Sequence, residues 1–260
     1  MPAVRVAVSL KCLQLPLVKA VAKAREMGAQ AVEIDARGDL RPTDLSATAV
    51  REVRKLLEDH ELSVAAVEFQ TRRGYGDEDQ LDRRVEATKA AMRMARQLGC
   101  DLVINQVGQV PEDLNSKVGL TMLEVLADLG RHSQHAGAWL AAATGSESGA
   151  DLRRFIDALP KGMLFATLDP GSLLINGFSA MEAVEALGDT IRHVHANDAV
   201  RDLGRRRGLE VQLGRGAVEW PVLAGVLQTQ GYRGYYSVVR EAGDDVMLEI
   251  AQGVRYLASL

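Results

Sequence analysis

Short apolar runs alternate along this chain with longer stretches in which apolar residues recur every three or four positions. The short runs lie at 4–9, 31–35, 63–69, 101–106, 138–143, 163–168, 191–196 and 235–239, and they predict strands. Most are apolar on both faces, the pattern of parallel strands covered by helices. The longer stretches predict helices over 17–27, 47–60, 77–98, 118–135, 150–158, 180–187, 218–230 and 245–259. In the third of these, Leu81, Val85, Thr88, Met92 and Ala95 form one stripe, while Arg83, Arg84, Lys89, Arg93 and Arg96 fall largely off it. That is a core-facing ridge with a solvated back. Gly28 and Gly99 stand where a helix should stop before the next strand. Eight strand–helix units in 260 residues average about 32 residues each, near the roughly 250 residues of a (β/α)8 TIM barrel. A doubly wound sheet would announce itself by a Gly-rich first turn, but the first strand ends S-L-K-C-L-Q. No linker-like segment interrupts the alternation, so the expectation is one α/β barrel domain over 1–260.

Composition narrows the function more than the fold. At 47% hydrophobic and 25% charged residues, the chain has ample material for a core. A net charge of −4 gives no general attraction to nucleic acid or to an anionic membrane, and neither is expected as a partner. No basic-then-apolar leader opens the sequence and no apolar run approaches the roughly 18 residues of a membrane span, so the expectation is a cytoplasmic protein. Nothing suggests a nucleotide cofactor. Cys12 and Cys100 form no CxxC pair and abut predicted strands, which reads as two buried or half-buried free thiols.

In such a barrel, functional groups sit at the C-terminal ends of the strands and in the loops beyond. Glu33 and Asp35 share a face at the end of the second strand. Arg72 and Arg73 follow the third, and Asn105 and Gln106 end the fourth as neutral groups suited to hydroxyls. Arg201, the run 205–207 and Arg215 follow the seventh strand, and Arg240 the eighth. Arginine forks bind carboxylate or phosphate, and Arg72 and Arg201 are the candidates for that role. The run 205–207 reads as solvated charge paired with Asp202, Glu210, Glu241 and Asp244. His193 and His195, two apart on one strand, point into the barrel end, with Asp198 after them and Asp169 ending the neighbouring strand. Imidazole plus carboxylate suits a divalent metal, though holding one needs at least three ligands. His132, His135 and His60 lie near helix ends and read as surface groups.

Several segments in order give the chain a resemblance to a known family: G-A-Q-A-V-E-I-D, Q-T-R-R-G-Y, A-R-Q-L-G-C, L-D-P-G-S-L-L, H-V-H-A-N-D, L-G-R-G-A-V-E-W and G-Y-R-G-Y-Y-S-V. The sequence resembles the xylose isomerase-like TIM barrels, a family of sugar and sugar-phosphate isomerases and epimerases. The resemblance implies one divalent ion (Mn, Mg, Co or Zn) held by Glu, Asp, His and Glu from four strands. Asp169 and His195 match the middle pair, and Arg201 matches an arginine that contacts substrate. The two glutamates, which in the family also move the proton beside the carbonyl, fall at Ala143 and Val239 in this chain, and a histidine found in some relatives falls at Ser172. Glu33, Asp35, Glu68, Glu147 and Glu241 are the carboxylates able to complete a shifted site, with Glu33 and Glu241 the candidates for catalysis.

Two functional readings follow. In the first, a small carbohydrate or anionic sugar derivative binds through Glu33, Arg72, Gln106, His193, His195 and Arg201, and a proton moves beside its carbonyl with a weak or relocated metal at Asp169 and His195. In the second, the barrel binds a sugar or serves as a partner subunit without catalysis. A homo-oligomer is compatible with either. A three-zinc endonuclease of the same superfamily is set aside, because five histidines, three of them predicted on helices, do not supply its ligands.

Overall fold

The computed structural model describes residues 4–38, 40–202 and 207–260. Its strands are β1 (Arg5–Ser9), β2 (Ala31–Asp35), β3 (Ser63–Glu68), β4 (Leu102–Asn105), β5 (Trp139–Ala143), β6 (Phe165–Leu168), β7 (Ile191–Ala196), β8 (Asp198–Asp202), β9 (Arg207–Val211) and β10 (Tyr235–Val238). All but β8 and β9 are parallel and close into a barrel, β1 pairing with β10 and β2, and β10 with β7. The helices are α1 (Leu17–Glu26), α2 (Ala47–Asp59), α3 (Leu81–Gln97), α4 (Lys117–Ala136), α5 (Gly149–Asp157), α6 (Pro170–Ile175), α7 (Ala180–Leu187), α8 (Trp220–Thr229) and α9 (Val246–Ala258). The TIM barrel expected from the alternation is the fold observed.

Three local features depart from the sequence reading. Residues 77–80 are a turn, not the start of a helix: Gln80 sits at φ 53°, and α3 starts at Leu81. The chain after β6 turns at once into α6, with Pro170 in the first turn and the Asp169 carboxylate capping the Ser172 amide. The Asp–Pro start was the legible signal for it. After β7, β8 and β9 form an antiparallel hairpin where loop was expected.

Most of the core lies between the outer barrel face and the helices, with Trp220, Tyr75 and Phe155 fully buried. Inside the barrel, Ala7, Ala31 and Ala65 form a separate small cluster. Toward the strand C-termini the interior turns polar: Ser9, Glu33, Glu68, Thr167, His193 and Ser237 are all buried. Two slips of register shape that layer. Between β6 and β7 the pairing jumps from Ala166–Ile191 to Thr167–His193. A one-residue shift exchanges the two faces of a strand, so this slip sets His193 and His195 on the same face as Thr167. Between β2 and β3 it jumps from Val32–Val64 to Glu33–Ala66, setting Glu68 on the face of Glu33.

Asp198, a sequence candidate for the metal region, has a different task. Its fully buried carboxylate accepts the backbone amides of Ala199 and Val218 at Oδ1 (2.9 and 3.1 Å) and of Gly214 and Gly216 at Oδ2 (3.0 and 3.1 Å). It ties the segment after the hairpin to the end of β7. Asp198→Asn removes the charge and leaves amides without an acceptor, and is expected to cost about 2 kcal/mol in urea unfolding without changing ligand binding in the barrel mouth. Cys12 and Cys100 are buried free thiols, as expected, and burial pushes each up to about 12. Among the described residues, no helix is long and apolar enough to cross a membrane.

Candidate active site

Glu33 reaches from β2 across the barrel to β7. Its Oε2 accepts from His193 Nε2 at 3.1 Å and from His195 Nε2 at 3.0 Å. Behind His195, Nδ1 lies 3.4 Å from Asp169 Oδ2. Asp169 Oδ1 accepts from the Asn197 side chain and from the Ser172 amide, both at 2.8 Å. Asn197 is fixed in turn, accepting the Gly171 amide at 2.9 Å. His193 Nε2 also lies 2.9 Å from Ser237 Oγ. The result is a buried chain from Glu33 through His195 to Asp169, with His193 edge-on beside it.

The electrostatics follow from burial set against partners. Burial alone would raise the Glu33 carboxyl, but the charge of His195 and the hydrogen bonds of both histidines outweigh it and hold Glu33 well below its ordinary value. Burial alone would lower His195, but the Glu33 charge and its bonds to Asp169 and Glu33 lift it well above the ordinary imidazole value. Asp169 is lowered: burial works against this, and the His195 hydrogen bond and charge overcome it. For His193, burial wins over its contact with Glu33 and keeps it below the ordinary value. His195 is thus biased toward its charged form between two carboxylates, and His193 toward its neutral form alongside. Two buried oxygens at this site, Glu33 Oε1 and Thr167 Oγ1, have no hydrogen-bond partner among the described residues.

A second charged group adjoins the first. Lys11, on the short turn after β1, lies 2.9 Å from Glu68 Oε2 and 3.4 Å from Glu241. Gln70 donates to Glu68 at 2.6 Å. Burial first, then the charge of Glu33, raises the Glu68 carboxyl. The sequence reading missed Lys11 altogether, because nothing in S-L-K-C-L marks a lysine that turns back over the barrel mouth.

The structure sorts the remaining sequence candidates. Glu33, His193, His195 and Asp169 come together. Glu241 is an exposed rim residue whose contact is Lys11. Glu147 is buried outside this cluster, accepting from Ser146 Oγ (2.6 Å) and the Val110 amide (3.4 Å), so it braces two loops and does not join the site. Asn105 is not free for a hydroxyl: Tyr75 Oη and Thr71 hold it from outside the barrel. Gln106 and Arg72 are exposed on the rim. Arg201 is exposed on the hairpin and donates to the Gly177 carbonyl at 3.2 Å. Asp35 caps the Arg37 amide at 2.8 Å. Arg240 is buried against Glu249 and Glu210, a structural role. Arg205 and Arg206 lie outside the described residues. Ala143 and Val239 stand at the ends of β5 and β10, with Val239 packed in the apolar core.

Residues 21–260 match the family described as Xylose isomerase-like TIM barrel. The chain belongs to that family. Among solved structures it is similar to a xylose isomerase domain protein from Planctomyces limnophilus, with TM-score 0.85, 21% identity, and coverage of 99% of this chain and 96% of the other. It is also similar to a xylose isomerase-like TIM barrel protein from Mycobacterium smegmatis in complex with magnesium (TM-score 0.80, 16% identity, 100% and 98% covered). A third is the D-allulose 3-epimerase from Methylomonas sp. in complex with D-allulose (TM-score 0.76, 16% identity, 99% and 97% covered). No curated protein matches the chain.

The side chains present fit a divalent ion. The ligand atoms of Glu33, His193 and His195 lie within 4.8 Å of one another. Two imidazole nitrogens and a carboxylate are a donor set that divalent transition metals accept once both imidazoles are neutral. The carboxylate of this set, Glu33, comes from β2 and both histidines from β7.

Proposed function

We propose that the protein is a sugar isomerase or epimerase that moves a proton beside a carbonyl, with Glu33 and Glu68 as the proton-handling pair. The single observation behind this is the buried Glu33 that two histidines hold ionised while one of its oxygens stays unpartnered. A small carbohydrate binds in the mouth, its hydroxyls facing Ser9, Thr167 and Ser237. Glu33 Oε1 takes the proton from the carbon beside the carbonyl. His195, holding Oε2 and backed by Asp169, keeps the carboxylate in place and offsets the negative charge that develops. Glu68 has the opposite bias and returns a proton as the acid; two carboxyls pushed apart by their surroundings are the usual basis for such a division of roles. Glu33, with His193 and His195 both in their neutral forms, would hold a divalent ion, which when bound supplies polarisation of the substrate carbonyl in place of the His195 charge. The protein is proposed to work in the cytoplasm.

The test is solvent-deuterium incorporation, followed by proton NMR, across free and phosphorylated aldoses and ketoses, with chelator and with added Mn. Wild-type protein is expected to exchange the hydrogen beside the carbonyl of at least one of them, and Glu33→Gln to slow this by about 10²-fold or more. A second reading, a sugar-binding barrel without catalysis, rests on the alkyl side chains of Ala143 and Val239. Saturable sugar binding with no exchange under any condition would establish it and end the first.

A further inference from the structure

On the same rim as the barrel mouth, the loops after β2 and β3 and the start of α3 enclose a hollow of about 400 Å³. Five arginines line it: Arg37, Arg72, Arg73, Arg83 and Arg84. Asp79 is the only carboxylate lining it among the described residues, and Arg73 already pairs with Asp79 (2.7 Å) and Asp77 (3.2 Å). The other four guanidiniums have no carboxylate partner among the described residues. Arg84 is held by the main-chain carbonyls of Asp77 and Asp79, so its charge is positioned but not neutralised, and its buried Nε has no acceptor. Arg83 reaches only Gln80 Oε1, at 3.4 Å. Arg37 stands over the Phe69 ring, 5.3 Å from its centroid, which fixes it at the edge of the hollow. Arg72 is exposed, with no hydrogen-bond or ion-pair partner among the described residues.

Four unneutralised guanidiniums gathered in one concavity of a chain with net charge −4 repel one another and gain nothing in stability by it. An oxyanion would reverse that balance, since guanidinium groups donate to phosphate or carboxylate in paired, charge-assisted bonds. Phe69 and Thr71 in its wall follow Glu68 by one and three residues, so the hollow lies beside the strand end that supplies the acid of the proposed reaction.

We infer that this hollow is an oxyanion subsite that receives the phosphate group of a phosphorylated sugar whose carbonyl end lies at Glu33. This rests on the function proposed above for its substrate half, whereas the anion site itself does not. The test has two arms. Inorganic phosphate is titrated at low ionic strength by calorimetry into wild type, Arg72→Gln, and Arg72→Gln combined with Arg83→Gln. Saturable binding is expected, weakened about tenfold for each guanidinium removed and weakened further by salt, with unchanged melting temperatures because both side chains are exposed. No saturable binding in wild type, or equal binding in the variants, overturns the subsite and leaves the proposed function standing.

In the second arm, a phosphorylated sugar and its unphosphorylated counterpart are titrated into wild type and Glu33→Gln. Tighter binding of the phosphorylated sugar than of either the free sugar or inorganic phosphate, abolished by the double arginine variant, is expected. A sugar phosphate that binds no better than inorganic phosphate overturns the link to substrate, since the hollow would then take free anion alone. Failure of deuterium exchange with this binding intact would instead count against the catalytic reading.

Discussion

Glu33→Ala is expected to lower the stability of the metal-free protein by about 3–5 kcal/mol near pH 6, measured by urea unfolding, because it strands the buried His195 charge opposite a lost partner. Asp169 still faces His195, so the loss should fall short of full unfolding. Glu33→Gln keeps the shape without the charge and should cost less. The pH dependence follows from the signs. Glu33 and Asp169 lie below their ordinary values of 4.5 and 3.8, so their contribution is present above those values and fades as pH falls toward the folded ones. His195 lies above 6.5, so its contribution is full below 6.5 and fades as pH rises through the folded value. His193, kept neutral, works the other way, adding to the acid-side loss below 6.5. Wild type should therefore hold its network best near pH 6.5, with a gentle loss through His193 below that and a steeper one below about 4.5, and Glu33→Ala should flatten the alkaline limb by returning His195 toward its ordinary value. An unchanged His195 titration in NMR spectra of the variant would show that Glu33 is not its partner.

Much of this arrangement was legible in the chain. The eight barrel strands emerged from apolar runs, and 31–35 and 191–196 agree with β2 and β7 to the residue, because a strand buried on both faces leaves little else for such a run to be. His193 and His195 could be placed on one inward face by period two alone. What spacing could not give was the partner. Glu33 and His195 are 162 positions apart and meet only because the barrel closes and Ala7, Ala31 and Ala65 keep its interior narrow-walled. The slips of register at Glu33 and at Thr167 are equally invisible in a hydrophobic pattern, yet they decide which acids face inward. The hairpin was hidden for a different reason: D-A-V-R-D is charged at three of its five positions, so it lacks the apolar run that marks the barrel strands. Asp198 misled as well, since a buried aspartate that anchors four amides looks, in sequence, like a ligand.

Placing carboxylates at 143 and 239, where the family resemblance expects them, tests whether those positions limit metal binding. With Ala143→Glu and Val239→Glu combined, Mn affinity measured by calorimetry is expected to rise by at least about 10²-fold, since loss of an outer-shell partner alone typically costs 10–100-fold and these would be direct ligands beside Asp169 and His195. The same change should weaken the metal-free protein. Val239 is 9% exposed and packs in the core, so a carboxylate there loses its hydration, at a cost of about 3 kcal/mol. Metal at a hundredfold excess over its dissociation constant would return about 2.7 kcal/mol. The variant should thus be less stable than wild type with chelator and close to it with Mn. Wild type, with Glu33, His193 and His195 alone, should show a smaller metal-dependent shift that Glu33→Gln removes. Equal Mn affinity in wild type and the double variant would mean that Glu33 already completes the site, and that the alkyl groups at 143 and 239 mark a relocated metal centre and not a lost one.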